Sequence, residues 1–124
     1  MLNTLRVTFL CILVAGYTVA QPFGQVSEER PGNAQVQRTA DAVRDQLESK
    51  LGPGQVTLNR VIRYRSRAVD MLAPGGGLTF GMVYYMKIEA TPGKYIHASV
   101  STGPSGPKLG AVVTGKLLSD PIEA

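Results

Sequence analysis

Residues 33–51 constrain this chain more than any other stretch. Val36, Ala40, Val43, Leu47 and Leu51 recur at intervals of four, three, four and four, which places them on one narrow stripe of a 3.6-residue helix. Arg38, Asp41, Arg44, Asp45, Glu48 and Lys50 occupy the opposite face, which suits water. Asn33 can cap the N-terminus, because its side chain accepts a hydrogen bond from a free backbone N–H. Gly52 and Pro53 then stop the helix. A stripe this narrow needs a broad apolar surface to cover it. The chain beyond residue 52 reads as strands, so the expected partner is one antiparallel sheet.

Of the 124 residues, the first 20 are expected to be a secretory signal peptide and not part of the fold. One charge, Arg6, precedes an apolar run over residues 7–15, and the small residues Thr18 and Ala20 sit at −3 and −1 of a cut after Ala20. The run is well short of the roughly 20 residues of a spanning helix. Residues 21–124 then form one domain, expected to be secreted. The sole cysteine, Cys11, lies in the leader, so this domain must rely on packing or on a partner and not on disulfides. Losing Arg6 leaves 12 basic and 9 acidic residues, a mild excess that does not by itself mark a nucleic-acid binder.

Residues 21–32 show no periodicity and read as an exposed arm. After a turn at 52–54, residues 56–69 read as a long strand with Val56, Leu58, Ile62 and Tyr64 on one face and Thr57, Asn59, Arg63, Arg65 and Arg67 on the other. Arg60 and Val61 break the alternation, which predicts a bulge. Residues 70–81 are turn-rich, with Pro74-Gly75-Gly76-Gly77 at the tip. The strand over 80–90 sets Phe80, Met82, Tyr84, Met86, Ile88 and Ala90 against Val83, Tyr85, Lys87 and Glu89. Residues 91–94 form a tight turn, and 95–102 a strand with Ile96, Ala98 and Val100 inward and His97 outward. A second loop covers 103–110, a last strand 111–118, and a polar tail 119–124. The expected architecture is α+β: one N-terminal helix wrapped by a four- to five-stranded antiparallel sheet.

Catalytic chemistry is not expected. His97 is the single histidine, with no carboxylate nearby in sequence to orient it as a base. No His, Cys and carboxylate cluster has metal-ligand spacing, and Gly75-Gly76-Gly77 lacks the lysine of a phosphate loop. No cofactor is called for. Arg63, Arg65 and Arg67 share a strand face with Tyr85 and Tyr95, which reads as a solvated face or as a polyanion-binding one, for heparin-like glycans. In a meander the 70–81 and 103–110 hairpins lie at the same end, within reach of the arm, and form a three-part edge.

This organisation resembles the cystatins, and most closely the stefins, which lack disulfides. Residues 39–48, the strands Val61-Ile62-Arg63-Tyr64-Arg65-Ser66 and Tyr84-Tyr85-Met86-Lys87-Ile88, and Tyr95-Ile96-His97 followed by Thr102-Gly103-Pro104 carry the resemblance, over about residues 23–117. It implies a reversible inhibitor of papain-like cysteine proteases that wedges three segments into the active-site cleft. The implied segments are Gly24 in the arm, a first loop matching Arg67, Ala68, Val69, Asp70 and Met71, and Gly103-Pro104 in the second loop. The first loop departs from the family's Gln-x-Val-x-Gly, keeping only Val69 and adding about ten residues through Gly81. The implied partner is a papain-like protease, with no nucleic acid and no membrane. The alternative is a non-inhibitory binding protein that uses the extended loop or the Arg63, Arg65 and Arg67 face. The long hairpin also invites a domain-swapped dimer.

Overall fold

Asn33 caps the first helix through its side chain, which accepts from the Val36 N–H at 2.9 Å. The computed structural model describes residues 24–124, so the expected leader lies outside the described residues. The helix expected over 33–51 forms as two segments, α1 (Ala34–Ala42) and α2 (Arg44–Leu51). Val43 between them takes φ −104° and ψ 10°. The Ala40 carbonyl accepts both the Val43 N–H and the side-chain amide of Asn59, each at 3.2 Å. A side chain that engages the helical ladder in this way tightens one turn. The apolar stripe survives the break: Val36, Ala40, Val43 and Leu47 are all buried.

The sheet has five strands in the order β1 (Arg30–Pro31), β2 (Arg60–Leu72), β3 (Leu78–Thr91), β4 (Lys94–Thr102) and β5 (Lys108–Lys116), each antiparallel to its neighbours. Its helix-facing side contributes Val61, Tyr64, Tyr84, Met86, Ile88, Ala90, Ile96, Ala98 and Val100 to the core. Burying each large apolar side chain there contributes about 1.5–3 kcal/mol. Tyr64 and Tyr84 meet edge to face, and burial first, then Tyr64, raises the pKa of the Tyr84 phenol.

β2 starts at Arg60 and not at residue 56. Val56 is buried, but the Thr57 and Leu58 N–H groups both donate to the Ala90 carbonyl, a turn and not a ladder. The predicted bulge falls between Val61 and Arg63. It leaves Ile62 outside the pairing, so Val61 and not Ile62 enters the core, and Leu58 is exposed. Asn59 makes the turn, with φ 49°. Gln37 locks the start of the strand: its amide donates to the Asn59 carbonyl at 2.7 Å and accepts from the Val61 N–H at 2.9 Å.

The far side of the sheet differs most from expectation. Lys87, Glu89 and His97 were expected to face water, and all three are buried. Residues 119–124 were expected to be a polar tail. Instead residues 117–124 form a strap that crosses this face from the end of β5 to the arm. Lys87 Nζ donates to the carbonyls of Leu117, Leu118 and Asp120. Arg65 donates to the Ile122 carbonyl at 2.8 Å, and the Ile122 side chain is 1% exposed. Burial first, then Arg63, lowers the pKa of Lys87, while Asp120 and Glu29 oppose that shift. Glu89 has a lowered pKa, chiefly because it accepts from the Gly93 N–H and then from Arg60, against the opposing effect of burial.

Asn59→Ala removes the bond to Ala40 and places an ordinary residue at positive φ. It is expected to cost about 1–3 kcal/mol, read as a lower urea midpoint. Asn59→Gly relieves the backbone but not the lost amide, and should cost less.

Candidate functional site

The ladder between β2 and β3 does not stop where the turn-rich composition begins. Asp70 pairs with Phe80, Met71 with Thr79 and Leu72 with Leu78. The expected loop over 70–81 therefore shrinks to a tip at 73–77, closed by Ala73 N–H to Gly77 O at 2.9 Å and Gly76 N–H to Ala73 O at 3.0 Å. Gly75, Gly76 and Gly77 all hold positive φ, which L residues rarely adopt. The product is a paired finger. Alternation sets Leu72, Leu78 and Phe80 on the face that carries Tyr64 and Tyr84 lower down, and here they are 78%, 72% and 61% exposed.

The second hairpin joins β4 to β5 through Gly103, Pro104, Ser105, Gly106 and Pro107, with Gly106 N–H donating to Gly103 O at 3.0 Å. Strand pairing resumes at Lys108, so the expected 103–110 loop and 111–118 strand both shift towards the tip. α2 holds this hairpin: the Gln46 side chain accepts from the Leu109 N–H at 2.9 Å, and Lys50 donates to Gly110 O at 2.9 Å. Met71 ties the two hairpins together. A Cβ on Gly81 would lie 2.3 Å from its sulfur, and one on Gly103 2.4 Å.

The arm is not free. Gly24 N–H donates to Ala68 O at 3.2 Å, Ser27 N–H to Ser66 O at 2.8 Å, and Ser66 N–H returns a bond to Ser27 Oγ at 2.9 Å. From Gly24 onward the arm thus lies along the edge of β2, with Gly24 beside the base of the finger. Gly24 is exposed, at φ 82° with open space around it.

The candidate residues sit as follows. Gly24 lies beside Ala68; Arg67, Ala68, Val69 and Met71 are half-buried on β2; Asp70 is exposed at the base of the finger. Gly103 lies against Met71, and Pro104 is exposed at the second tip. Arg63, Arg65 and Arg67 do not form an open cationic face. Arg63 donates to Leu118 O and faces Glu29, and Arg65 donates to the carbonyls of Ser27 and Ile122. Arg67 remains, with its Nε buried and without a hydrogen-bond partner among the described residues. The sequence reading missed Ser27, Gln37 and Gln46. Their only signal was a polar residue beside a strand or helix end, which alternation does not resolve.

The described residues thus form a helix pair clasped by a sheet, with three backbone-rich segments gathered at one end. No family model matches the chain. It is 31% identical to Cystatin-A of Rattus norvegicus over 83 residues, covering 67% of this chain and 70% of that protein. It is 30% identical to Cystatin-A of Homo sapiens over 92 residues, covering 74% of this chain and 83% of that protein. The chain belongs to the cystatin superfamily, on its stefin side, a family of cysteine-protease inhibitors and not of enzymes.

Gly81→Ala and Gly103→Ala separate two kinds of crowding. A Cβ on Gly81 would also lie 2.7 Å from the Thr102 carbonyl, whereas on Gly103 every close atom belongs to the Met71 side chain. Met71→Ala should therefore rescue Gly103→Ala but not Gly81→Ala. The expected cost of Gly81→Ala is about 1–3 kcal/mol, checked by a double-mutant cycle in thermal unfolding.

Proposed function

We propose that the protein is a secreted, reversible inhibitor of papain-like cysteine proteases that fills the active-site cleft with the arm at Gly24, the β2–β3 finger and Gly103-Pro104. Secretion rests on the composition of residues 1–20. The observation that carries the inhibitory reading is the clustering itself. Gly24 is hydrogen-bonded to Ala68, and Met71 packs against Gly103, so three separate segments share one edge. Such an edge blocks a cleft without any covalent bond or cofactor.

The finger is where this chain departs from its family. Beyond Val69 the ladder runs three further pairs, which at about 3.4 Å per residue carries the tip roughly 10 Å past the level of Val69. Ordering a loop residue costs roughly 1–2 kcal/mol. The paired residues meet that cost on folding, which leaves only 73–77 to be fixed on binding. Leu72 and Leu78 can each return about 1.5–3 kcal/mol if a cleft buries them. The finger therefore favours binding and does not merely extend a loop. The polyanion reading loses support, because Arg63 and Arg65 are engaged within the molecule.

Titration of a panel of papain-like proteases tests this reading. Inhibition is expected in at least one case; silence at high micromolar concentration from folded protein sinks the inhibitor claim. Leu72→Ser and Leu78→Ser should each raise the inhibition constant about ten- to a hundredfold, with unchanged unfolding midpoints. Gly24→Arg, at positive φ, should raise the dissociation rate about tenfold or more.

A further inference from the structure

His97 has a place that the inhibitory edge does not explain. It is 8% exposed, lies on the strap side of the sheet, and pairs across the ladder with Lys87 on β3 and Val113 on β5. Its Nε2 is buried and has no hydrogen-bond partner among the described residues. Lys87 cannot move away to make room, because its ammonium donates to three strap carbonyls. Protonating His97 would add a second buried cation beside this one, and a buried donor without an acceptor.

The groups around His97 come from every layer. β3 brings Lys87 and Tyr85, β5 brings Lys116, and the strap brings Asp120 and Glu123; Arg63, Arg65 and Glu29 lie further along the same face. Of the two carboxylates that act on His97, Asp120 accepts from the Leu117 N–H at 2.8 Å and Glu123 is exposed at the rim of the groove, while Glu29, further along the face, accepts from the Ile122 N–H at 3.1 Å. Burial first, then Lys87 and Lys116, lowers the pKa of His97, against Asp120 and Glu123. A groove of about 370 Å³ beside His97, lined by Val113, Lys116, Ile122 and Ala124, gives water a path to this region.

We propose that His97 is a proton-operated latch: its protonation frees residues 117–124 from the sheet and thereby loosens the arm that carries Gly24. The link to the arm is on the page. Ile122 N–H donates to Glu29, and Arg65 spans the Ser27 and Ile122 carbonyls, so strap and arm share one polar network. The sign follows from the neutral imidazole being the form that fits. Strap stability is fully present above the unfolded histidine value of about 6.5, and is lost as pH falls through the lower folded value. The consequence for inhibition rests on the proposed function; the latch itself does not.

Amide hydrogen exchange of the protein at pH 7.5 and pH 5, corrected for intrinsic exchange, tests the latch. The expected result is a severalfold loss of protection at pH 5 in residues 117–122 and 24–29 together, with residues 86–90 unchanged, and no such loss in His97→Gln. Equal loss in His97→Gln, no loss in the wild type, or strap opening without arm loosening overturns it. An imidazole NMR titration of the wild type guards against a variant that fails to fold: its midpoint must coincide with that of strap opening. Inhibition of a papain-like protease at both pH values is read separately. Weaker inhibition at pH 5 in the wild type only supports the coupling. Absence of inhibition at both counts against the inhibitor reading, while exchange still decides the latch.

Discussion

The register of β2 is the constraint on which the other parts depend. A slip of one residue would exchange the two faces of the strand, burying Arg63, Arg65 and Arg67 under the helices and turning Tyr64 and Ser66 outward. Two features at its start prevent this. Gln37, on α1, holds the Asn59 carbonyl and the Val61 N–H at once, so the helix itself sets where the strand begins. The bulge after Val61 then corrects the phase, so that Val61 and Tyr64, three residues apart, both reach the core. The candidate segments are referred to this strand. The arm pairs along its edge, the finger is its continuation, and the strap is held by Arg63 and Arg65 on its outer face.

The two faces of the sheet are closed by different physics. On the helix side, apolar side chains interlock, and the burial is non-directional. On the strap side, a lysine, two arginines and several backbone carbonyls satisfy one another around a single apolar plug, Ile122. A polar closure of this kind fixes geometry, because each donor must meet its acceptor, and it is costly when one member is left unpaired. It also responds to charge, which an apolar closure does not. The strap side is therefore where a proton can change the shape of the molecule, and the helix side is where it cannot.

These differences explain what the sequence made legible. The helix stripe and the alternation over Met82 to Ala90 each repeat one period many times, so the layers and hairpin order follow directly. Alternation says which face a side chain is on, but not what covers that face. Alternation places Lys87 and His97 on the side away from the helices, yet they are buried, because the covering element is a short tail that buries only one of its own residues, Ile122. Nothing in the spacing of residues 117–124 marks a strap. The finger was obscured for the opposite reason. Its glycines and proline signal a turn, and the turn is real, but the signal spreads over paired neighbours and hides where the ladder ends.

The glycines of the edge then divide into two roles with different consequences. Gly75, Gly76 and Gly77 supply backbone conformations, and a side chain there would meet open space but the wrong φ. Gly81 and Gly103 supply room: Met71 fills it, and the two hairpins are locked at a fixed separation. A short turn of the Gln-x-Val-x-Gly kind, which the family resemblance implies, would combine rigidity and contact in one place. Here the functions are separated along the finger. Met71 and the two glycines brace its base, the β2–β3 pairs carry it outward, and Leu72 and Leu78 present apolar surface near its end. Loss of the family pattern at residues 67–71 is thus no loss of a preorganised edge, because bracing by Met71 replaces the compactness that a short loop would provide.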